Sequence, residues 1–110
     1  MAESEITKRA KRGAELMDRI MPGWHSQIDL DELDMSSCYK CILGQVYGNY
    51  PYGTLHVFMD LEHGKDCDRE EERNGFTSAV YPATPESQTE YELLGAAWKA
   101  EILKRRGAQQ

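Results

Sequence analysis

The chain has 110 residues, a length that suits a single domain with one core. Thirteen Lys and Arg against nineteen Asp and Glu give a formal charge of −6, and 40% of the residues are hydrophobic. This composition is too apolar for a disordered chain and too acidic for a general nucleic-acid binder. Because no apolar run could span a membrane and the first twelve residues are charged, we expect a cytoplasmic protein without membrane contact.

The first segment predicts a helix with Ser4 as a candidate N-cap. One apolar stripe recurs at three- and four-residue spacing: Ile6, Ala10, Gly13, Met17 and Ile20. Pro22-Gly23 ends this helix, since both residues favour a turn. Gly13 either weakens the helix locally or marks close contact with a neighbouring backbone. Trp24, after the turn, is expected to cover the core.

Acidic and apolar residues alternate in the next segment, residues 28–35. The apolar residues fit no single strict period, although Leu30 and Leu33 fit a short helical turn. We therefore predict an extended entry into a one-turn helix capped by Asp29 or Asp31, with an edge strand as the alternative.

A short, mostly apolar helix is predicted from Cys38 to Tyr47. Ser36-Ser37 supplies its N-cap signal, and Gly48 stands where a left-handed C-terminal cap is expected. One face of this helix carries Cys38, Cys41, Ile42, Gln45 and Val46. We expect it to be the buried helix of the domain.

The middle of the chain carries weaker patterns. Residues 50–53 (Tyr-Pro-Tyr-Gly) predict a turn, and residues 55–61 fit either a strand or a short helix. A charged helical segment is expected at residues 66–73, ending at Asn74-Gly75. Phe76 then stands where it can fold back as an apolar anchor.

The last helix has the clearest signals. Thr84 can cap it, Pro85 fits the first helical position, and Gly107 is expected to end it. Its apolar stripe follows 3.6-residue spacing: Tyr91, Leu94, Trp98, Ile102 and the stem of Arg105. Basic residues near its end complement the negative pole of the helix.

These elements predict one mostly α-helical domain over residues 1–110, with frayed ends at residues 1–4 and 107–110. It is a small bundle of three main helices with a short irregular or strand-like middle segment. The predicted core is Met17, Ile20, Trp24, Leu30, Leu33, Cys41, Ile42, Val46, Leu94 and Trp98.

An ordered series of residues resembles a family of small uncharacterised proteins that actinobacteria and their bacteriophages encode. The series is Trp24, Ile28-Asp29-Leu30-Asp31, Leu33-Asp34-Met35, the run from Cys41 to Gly48, Tyr91, Leu94, Ala97-Trp98, Glu101-Ile102 and Arg105-Arg106. Cys38 and Cys67 are not part of the family pattern. The resemblance implies a phage or bacterial setting and no particular reaction.

Three cysteines are too few for a disulfide scaffold and cannot all pair within one chain. Cys38, Cys41, His63 and Cys67 have the ligand types and the short pairwise spacing of a structural zinc site. Such a site would fasten the middle segment to the central helix. The alternative, which we favour, is that the cysteines are ordinary core residues and the protein needs no cofactor.

No catalytic motif is present, so we expect no enzyme. The favoured function is that of a non-enzymatic phage or bacterial accessory protein that binds a host macromolecule. A host protein is favoured over a nucleic acid as the partner, because residues 20–98 contain four basic and fourteen acidic residues. Tyr39, Tyr50 and Tyr52 are its candidate interaction residues, because tyrosine is enriched at interfaces. Self-association into a homodimer and mimicry of DNA by the acidic residues 60–72 are further alternatives.

Overall fold

The protein is described from a computed structural model, which describes residues 5–50, 52–53, 74–76 and 85–108. Three main α-helices occur in these ranges: α1 (Glu5–Ile20), α2 (Ile42–Tyr47) and α3 (Pro85–Ala108). Tyr50, Tyr52 and Gly53, where a turn was predicted, are also helical. A 3-10 helix at Trp24–Gln27 follows α1, and the described part of the chain contains no strand. The predicted fold class, a small mostly α domain with three main helices, is confirmed.

α1 packs against α3 through a point of very close approach at Gly13. A Cβ atom at this position would overlap the carbonyl oxygen of Asn74 and the indole ring of Trp98. Gly13 therefore marks close contact with a neighbouring backbone, the second of the two predicted roles. Its cost in helix propensity is offset by the packing that it permits.

Trp98 of α3 lies at the centre of the core and is fully buried. Its ring meets Trp24 edge-to-face at 5.6 Å between centroids and lies tilted against Phe76 at 5.3 Å. The indole N–H donates to the carbonyl oxygen of Gly75 (2.8 Å), so the one polar atom of the side chain has a partner. The predicted core position of Trp24 is confirmed, and Phe76 is the buried apolar anchor that the sequence predicts, although it is absent from the predicted core list.

Arg105 joins the C-terminal half of α3 to the end of α1. Its guanidinium forms an ion pair with Asp18 (2.9 Å) and another with Glu101 (2.8 Å), and it lies 5.9 Å from the ring centroid of Trp24. Trp24 Nε1 donates to the same Asp18 carboxylate (2.9 Å). Burial alone would raise the pKa of Asp18, but the bonds from Arg105 and Trp24 outweigh it and lower the pKa.

Two further arginines fasten α3. Arg106 donates to the carbonyl oxygens of His25 (2.7 Å) and Ile28 (2.5 Å), which ties the segment after α1 to the end of α3. Arg9 of α1 is buried and forms an ion pair with Glu90 at 2.8 Å. Ion pairs of α3 with α1 thus lie on both sides of the Trp98 contact.

The predicted core is correct at its centre and wrong at its edge. Buried as predicted are Met17, Trp24, Cys41, Ile42, Leu94 and Trp98. Ile20 is 38% exposed, because it stands at the last residue of α1, beyond the contact with α3. Only half-buried are Leu30, Leu33 and Val46. The core also contains residues that the prediction omitted: Ala10, Ala14, Ile28, Met35, Leu43, Phe76 and Ile102.

α2 is shorter than predicted, since it begins at Ile42 and not at Cys38. Cys41 has extended backbone angles and acts as its N-cap, accepting a hydrogen bond from the Gly44 N–H at Sγ (3.2 Å). The carbonyl of Cys38 accepts instead from the N–H of Tyr50 (2.8 Å), so it is not free to begin a helix. Gly48 ends α2 with a φ of +102°, a positive value that glycine adopts without strain.

Two other boundaries differ from the predictions. Residues 29–33 form successive turns in place of a one-turn helix or an edge strand, although Asp29 does act as the local cap. α3 continues through Gly107 to Ala108, so Gly107 does not end it. The predicted elements at residues 55–61 and 66–73 and the caps at Ser4 and Thr84 lie outside the described residues. Among the described helices, none is both long and apolar enough to cross a membrane.

Candidate interaction surfaces

The loop from residue 29 to residue 40 is held in shape by its own short polar side chains. The Asp29 carboxylate accepts from the N–H of Asp31 (3.0 Å), and Asp34 accepts from both the N–H and the hydroxyl of Ser36 (3.0 and 2.6 Å). In the next turn, the hydroxyl oxygen of Ser37 accepts from the N–H groups of Tyr39 and Lys40. These bonds satisfy backbone donors locally, which gives the loop a defined geometry without strands or helices.

Gln45 of α2 fastens this loop from behind. Its Oε1 accepts from the N–H of Asp29 (2.6 Å), and its Nε2 donates to the carbonyl oxygens of Asp29 (3.2 Å) and Lys40 (2.9 Å). One amide thus joins the beginning and the end of the loop. The sequence prediction placed Gln45 on an apolar face and missed this role. The sequence signal that could have indicated this role is the side-chain amide of Gln45, because an amide can both donate to and accept from the backbone of an irregular loop.

An open groove of about 510 Å³ separates this loop from α3. Its lining combines loop residues with one face of the helix: Asp31, Glu32, Leu33, Asp34, Met35, Lys40, Gln88, Tyr91, Glu92, Gly95, Ala96 and Lys99. Four of these side chains are carboxylates and two are amines, a net charge of −2. Leu33, Met35 and Tyr91 provide the apolar part of the lining. We call this feature the acidic groove.

The charges of the acidic groove differ in how far they are already neutralised. Glu32 and Lys40 form an exposed ion pair at 3.3 Å, which contributes little to stability in water. The hydrogen bonds from Ser36 lower the pKa of Asp34, so its carboxylate keeps its charge in mildly acidic solution. Glu92 of α3 is exposed to solvent. The groove therefore offers a cation several carboxylate oxygens on a preformed surface.

The predicted interaction tyrosines differ in accessibility. Tyr39 is 71% exposed and directly precedes Lys40 of the acidic groove, whereas Tyr52 is 46% exposed. Tyr50 is half-buried and packs against the core, and its N–H is used by the carbonyl of Cys38. Tyr39 is thus the predicted interaction residue with the most accessible side chain.

The two described cysteines lie in unlike surroundings. Cys38 is exposed, while Cys41 is 1% exposed and its Sγ caps α2. Burial raises the pKa of the Cys41 thiol, which opposes the thiolate form that a zinc ion requires. The other two proposed ligands, His63 and Cys67, lie outside the described residues. Within the described ranges, no three His, Cys, Asp or Glu side chains are grouped as a metal site would need.

A second, apolar groove of about 470 Å³ runs between the beginning of α1 and the outer side of α3. Its lining is Glu5, Ile6, Thr7, Leu93, Ala96 and Ala97. Leu93 is 52% exposed at this groove. Ala96 contributes to both grooves, so α3 separates an acidic surface from an apolar one.

Comparison with known proteins gives no match: no family model, no curated protein and no solved structure is significantly similar to this chain.

Proposed function

We propose that this protein is a non-enzymatic bacterial or bacteriophage accessory protein, acting in the cytoplasm, that binds a basic segment of a host protein in the acidic groove. The observation that carries the proposal is the groove itself: four carboxylates on a loop and a helix, with apolar side chains between them. Carboxylates pair with Lys and Arg side chains, and the apolar lining can hold their aliphatic stems.

The preformed shape of the loop supports binding rather than a purely solvated surface. Asp34 and Gln45 fix the loop backbone through hydrogen bonds before any partner arrives. A preformed site loses less conformational entropy on binding than a flexible one, so more of the contact energy appears as affinity. The negative charge of the whole chain also raises the rate of encounter with a basic partner.

The phage or bacterial setting comes from the sequence resemblance alone. The residues on which that resemblance depends include buried core side chains such as Trp24, Cys41 and Trp98, together with Arg105 and Arg106, which fasten α3. Residues with such roles preserve a fold. The resemblance therefore supports a shared architecture and leaves the binding partner to be inferred from the surface.

Two alternatives from the sequence have less support. A zinc-stapled module needs Cys41 as a ligand, and this thiol is buried, acts as a helix cap and has a raised pKa. Mimicry of DNA depends on the acidic residues 60–72, which lie outside the described residues. Neither alternative is favoured by a described contact.

The proposal is tested by an NMR titration with acetylated hexa-arginine amide as the probe. We expect the backbone signals of Asp31, Asp34 and Gly95 to shift together, and the shifts to weaken with added salt because exposed charges are screened. Glu32→Lys in the groove should weaken binding at least fivefold. Glu15→Lys, the same change at an exposed residue of α1, should leave the affinity within twofold.

The outcome that contradicts the proposal is equal weakening by the two substitutions, or signal shifts spread over the whole acidic surface. Either result would show non-specific attraction by net charge and no groove site.

A further variant, Tyr39→Ala, tests whether the exposed tyrosine beside the groove adds contact area. We expect it to weaken the binding of peptides that carry apolar residues next to arginine, and not of hexa-arginine.

A further inference from the structure

The outer face of α3 carries a second apolar stripe, on the side of the helix opposite the buried Trp98. The stripe is Leu93, Ala96, Ala100 and Leu103, and all four residues are exposed. Leu93 and Leu103 are 52% and 57% exposed, which places them among the most exposed large apolar side chains described. α3 is therefore apolar on two opposite faces, and only one of these faces covers the core.

The spacing of the stripe is three, four and three residues, the alternation that aligns apolar side chains along a helix–helix seam. A solvated helix face needs no such alignment, because isolated exposed apolar residues have no required spacing. The pattern therefore indicates that a second helix packs along this face.

We propose that a second copy of this chain covers the stripe, with the two α3 helices antiparallel. The stripe is symmetric about residue 98, with Leu at both ends and Ala at both inner positions. Antiparallel pairing sets Leu93 of each copy opposite Leu103 of the other, and Ala96 opposite Ala100. A two-fold dimer requires a surface patch that is complementary to itself, and this stripe meets that condition.

Charge along α3 favours the same orientation. Among the exposed residues that flank the stripe, the acidic Glu92 lies before Gly95 and the basic Lys104 lies after Ala97. Glu90, Arg105 and Arg106 lie towards the core and are bound within the chain, to Arg9, to Asp18 and to the carbonyl of His25 respectively. Because both positions are six residues from residue 98, antiparallel pairing sets Glu92 of each helix beside Lys104 of the other, whereas parallel pairing sets like charges together.

The apolar groove beside the stripe provides the complementary hollow. It is lined in part by Ile6, Leu93 and Ala97, and in the antiparallel arrangement it lies next to Leu103 of the second copy. The alanines at the centre have short side chains, so the two helices can approach closely. Because four residues a side bury less than the roughly 800 Å² per partner of a standard interface, we expect a micromolar dimer.

Sedimentation equilibrium from about 1 µM to 1 mM tests the dimer, since this range brackets a micromolar Kd. We expect the mass to rise from 12.6 kDa towards twice that value with concentration. Leu103→Glu should raise the Kd at least tenfold while circular dichroism shows an unchanged fold. Ile20→Glu, the same kind of change at an apolar side chain 38% exposed at the end of α1, is the matched control and should leave the Kd within twofold. A monomer at every concentration, or a dimer that Leu103→Glu weakens no more than Ile20→Glu does, would overturn the proposal.

Orientation is tested by a spin label at Gly107→Cys, in a chain with Cys38→Ser and Cys67→Ser. A Cβ at Gly107 meets no atom within 4 Å, so the new side chain fits. At a rise of 1.5 Å per residue, antiparallel helices centred on residue 98 separate the two labelled backbones by about 27 Å, against about 10 Å for parallel helices. The longer distance supports the proposal, and the shorter one overturns it. Both tests are independent of the acidic groove, because neither uses a basic ligand.

Discussion

Replacing Trp98 by alanine is the most informative perturbation of this fold, because three described contacts meet at that side chain. The indole is fully buried, packs on Trp24 and Phe76, and donates its N–H to the carbonyl of Gly75. Removing it takes away the contacts of α3 with Trp24 and with residues 74–76, and leaves a space beside Gly13 of α1.

The magnitude follows from two losses. A buried Trp→Ala change costs about 3–5 kcal/mol through lost transfer energy and the cavity left behind. The carbonyl of Gly75 also loses its donor, and an unsatisfied buried acceptor costs about 1–3 kcal/mol unless water reaches it. Against a typical total stability of about 5–15 kcal/mol, Trp98→Ala should bring the protein close to unfolding at room temperature. Trp98→Phe keeps most of the packing and loses the hydrogen bond, so it should cost clearly less.

Urea denaturation followed by far-UV circular dichroism measures these differences. Lys99→Ala, at the next residue but exposed to solvent, is the control and should change the free energy of unfolding by less than about 0.5 kcal/mol. If Trp98→Ala cost no more than Lys99→Ala, the packing of α1 on α3 through Trp98 would be wrong.

Three other predictions follow from the described contacts. Gly13→Ala should destabilise by about 1–3 kcal/mol despite the better helix propensity of alanine, and a higher urea midpoint would contradict the close contact at this position. Because its pKa is lowered in the folded state, Asp18 contributes stability that is complete above its ordinary pKa of 3.8 and is lost as pH falls through the folded pKa. Asp18→Asn weakens the ion pair with Arg105, so the difference in stability between the wild type and this variant should shrink below about pH 3.8. A constant difference in urea melts at several pH values would refute this. Native mass spectrometry of protein purified without chelator should give the bare chain, since Cys41 is buried as a thiol with a raised pKa; an added mass of one zinc that Cys38→Ser removes would contradict this.

The terminal helices were predictable because their signals are local. Three- and four-residue apolar spacing, Pro22-Gly23 and Pro85 define α1 and α3 with boundaries close to those observed. α2 was predicted too long, because Ser37 gives the same capping signal for a single turn as for a whole helix. The carbonyl of Cys38 accepts from the N–H of Tyr50, twelve residues further along the chain, and periodicity does not contain such a contact.

The acidic groove was not predictable as a site. In the sequence, the acidic residues 31, 32 and 34 indicate only a generally acidic region. Nothing local shows that Glu92 of α3 lies across the groove from them. The second stripe on α3, by contrast, was present in the sequence at Leu93 and Leu103. The stripe through Trp98 is sufficient to define α3 as a core helix, so the outer stripe adds nothing to the prediction of the fold.

Site-specific photo-crosslinking tests most directly whether the acidic groove binds a host protein. A benzoylphenylalanine at position 32, in the groove, is compared with one at position 15, an exposed glutamate of α1 outside it. In irradiated bacterial cells, we predict a discrete adduct at position 32 that is absent at position 15, with the crosslinked peptide rich in Lys or Arg. The same adducts at both positions, or none at position 32, would contradict the account.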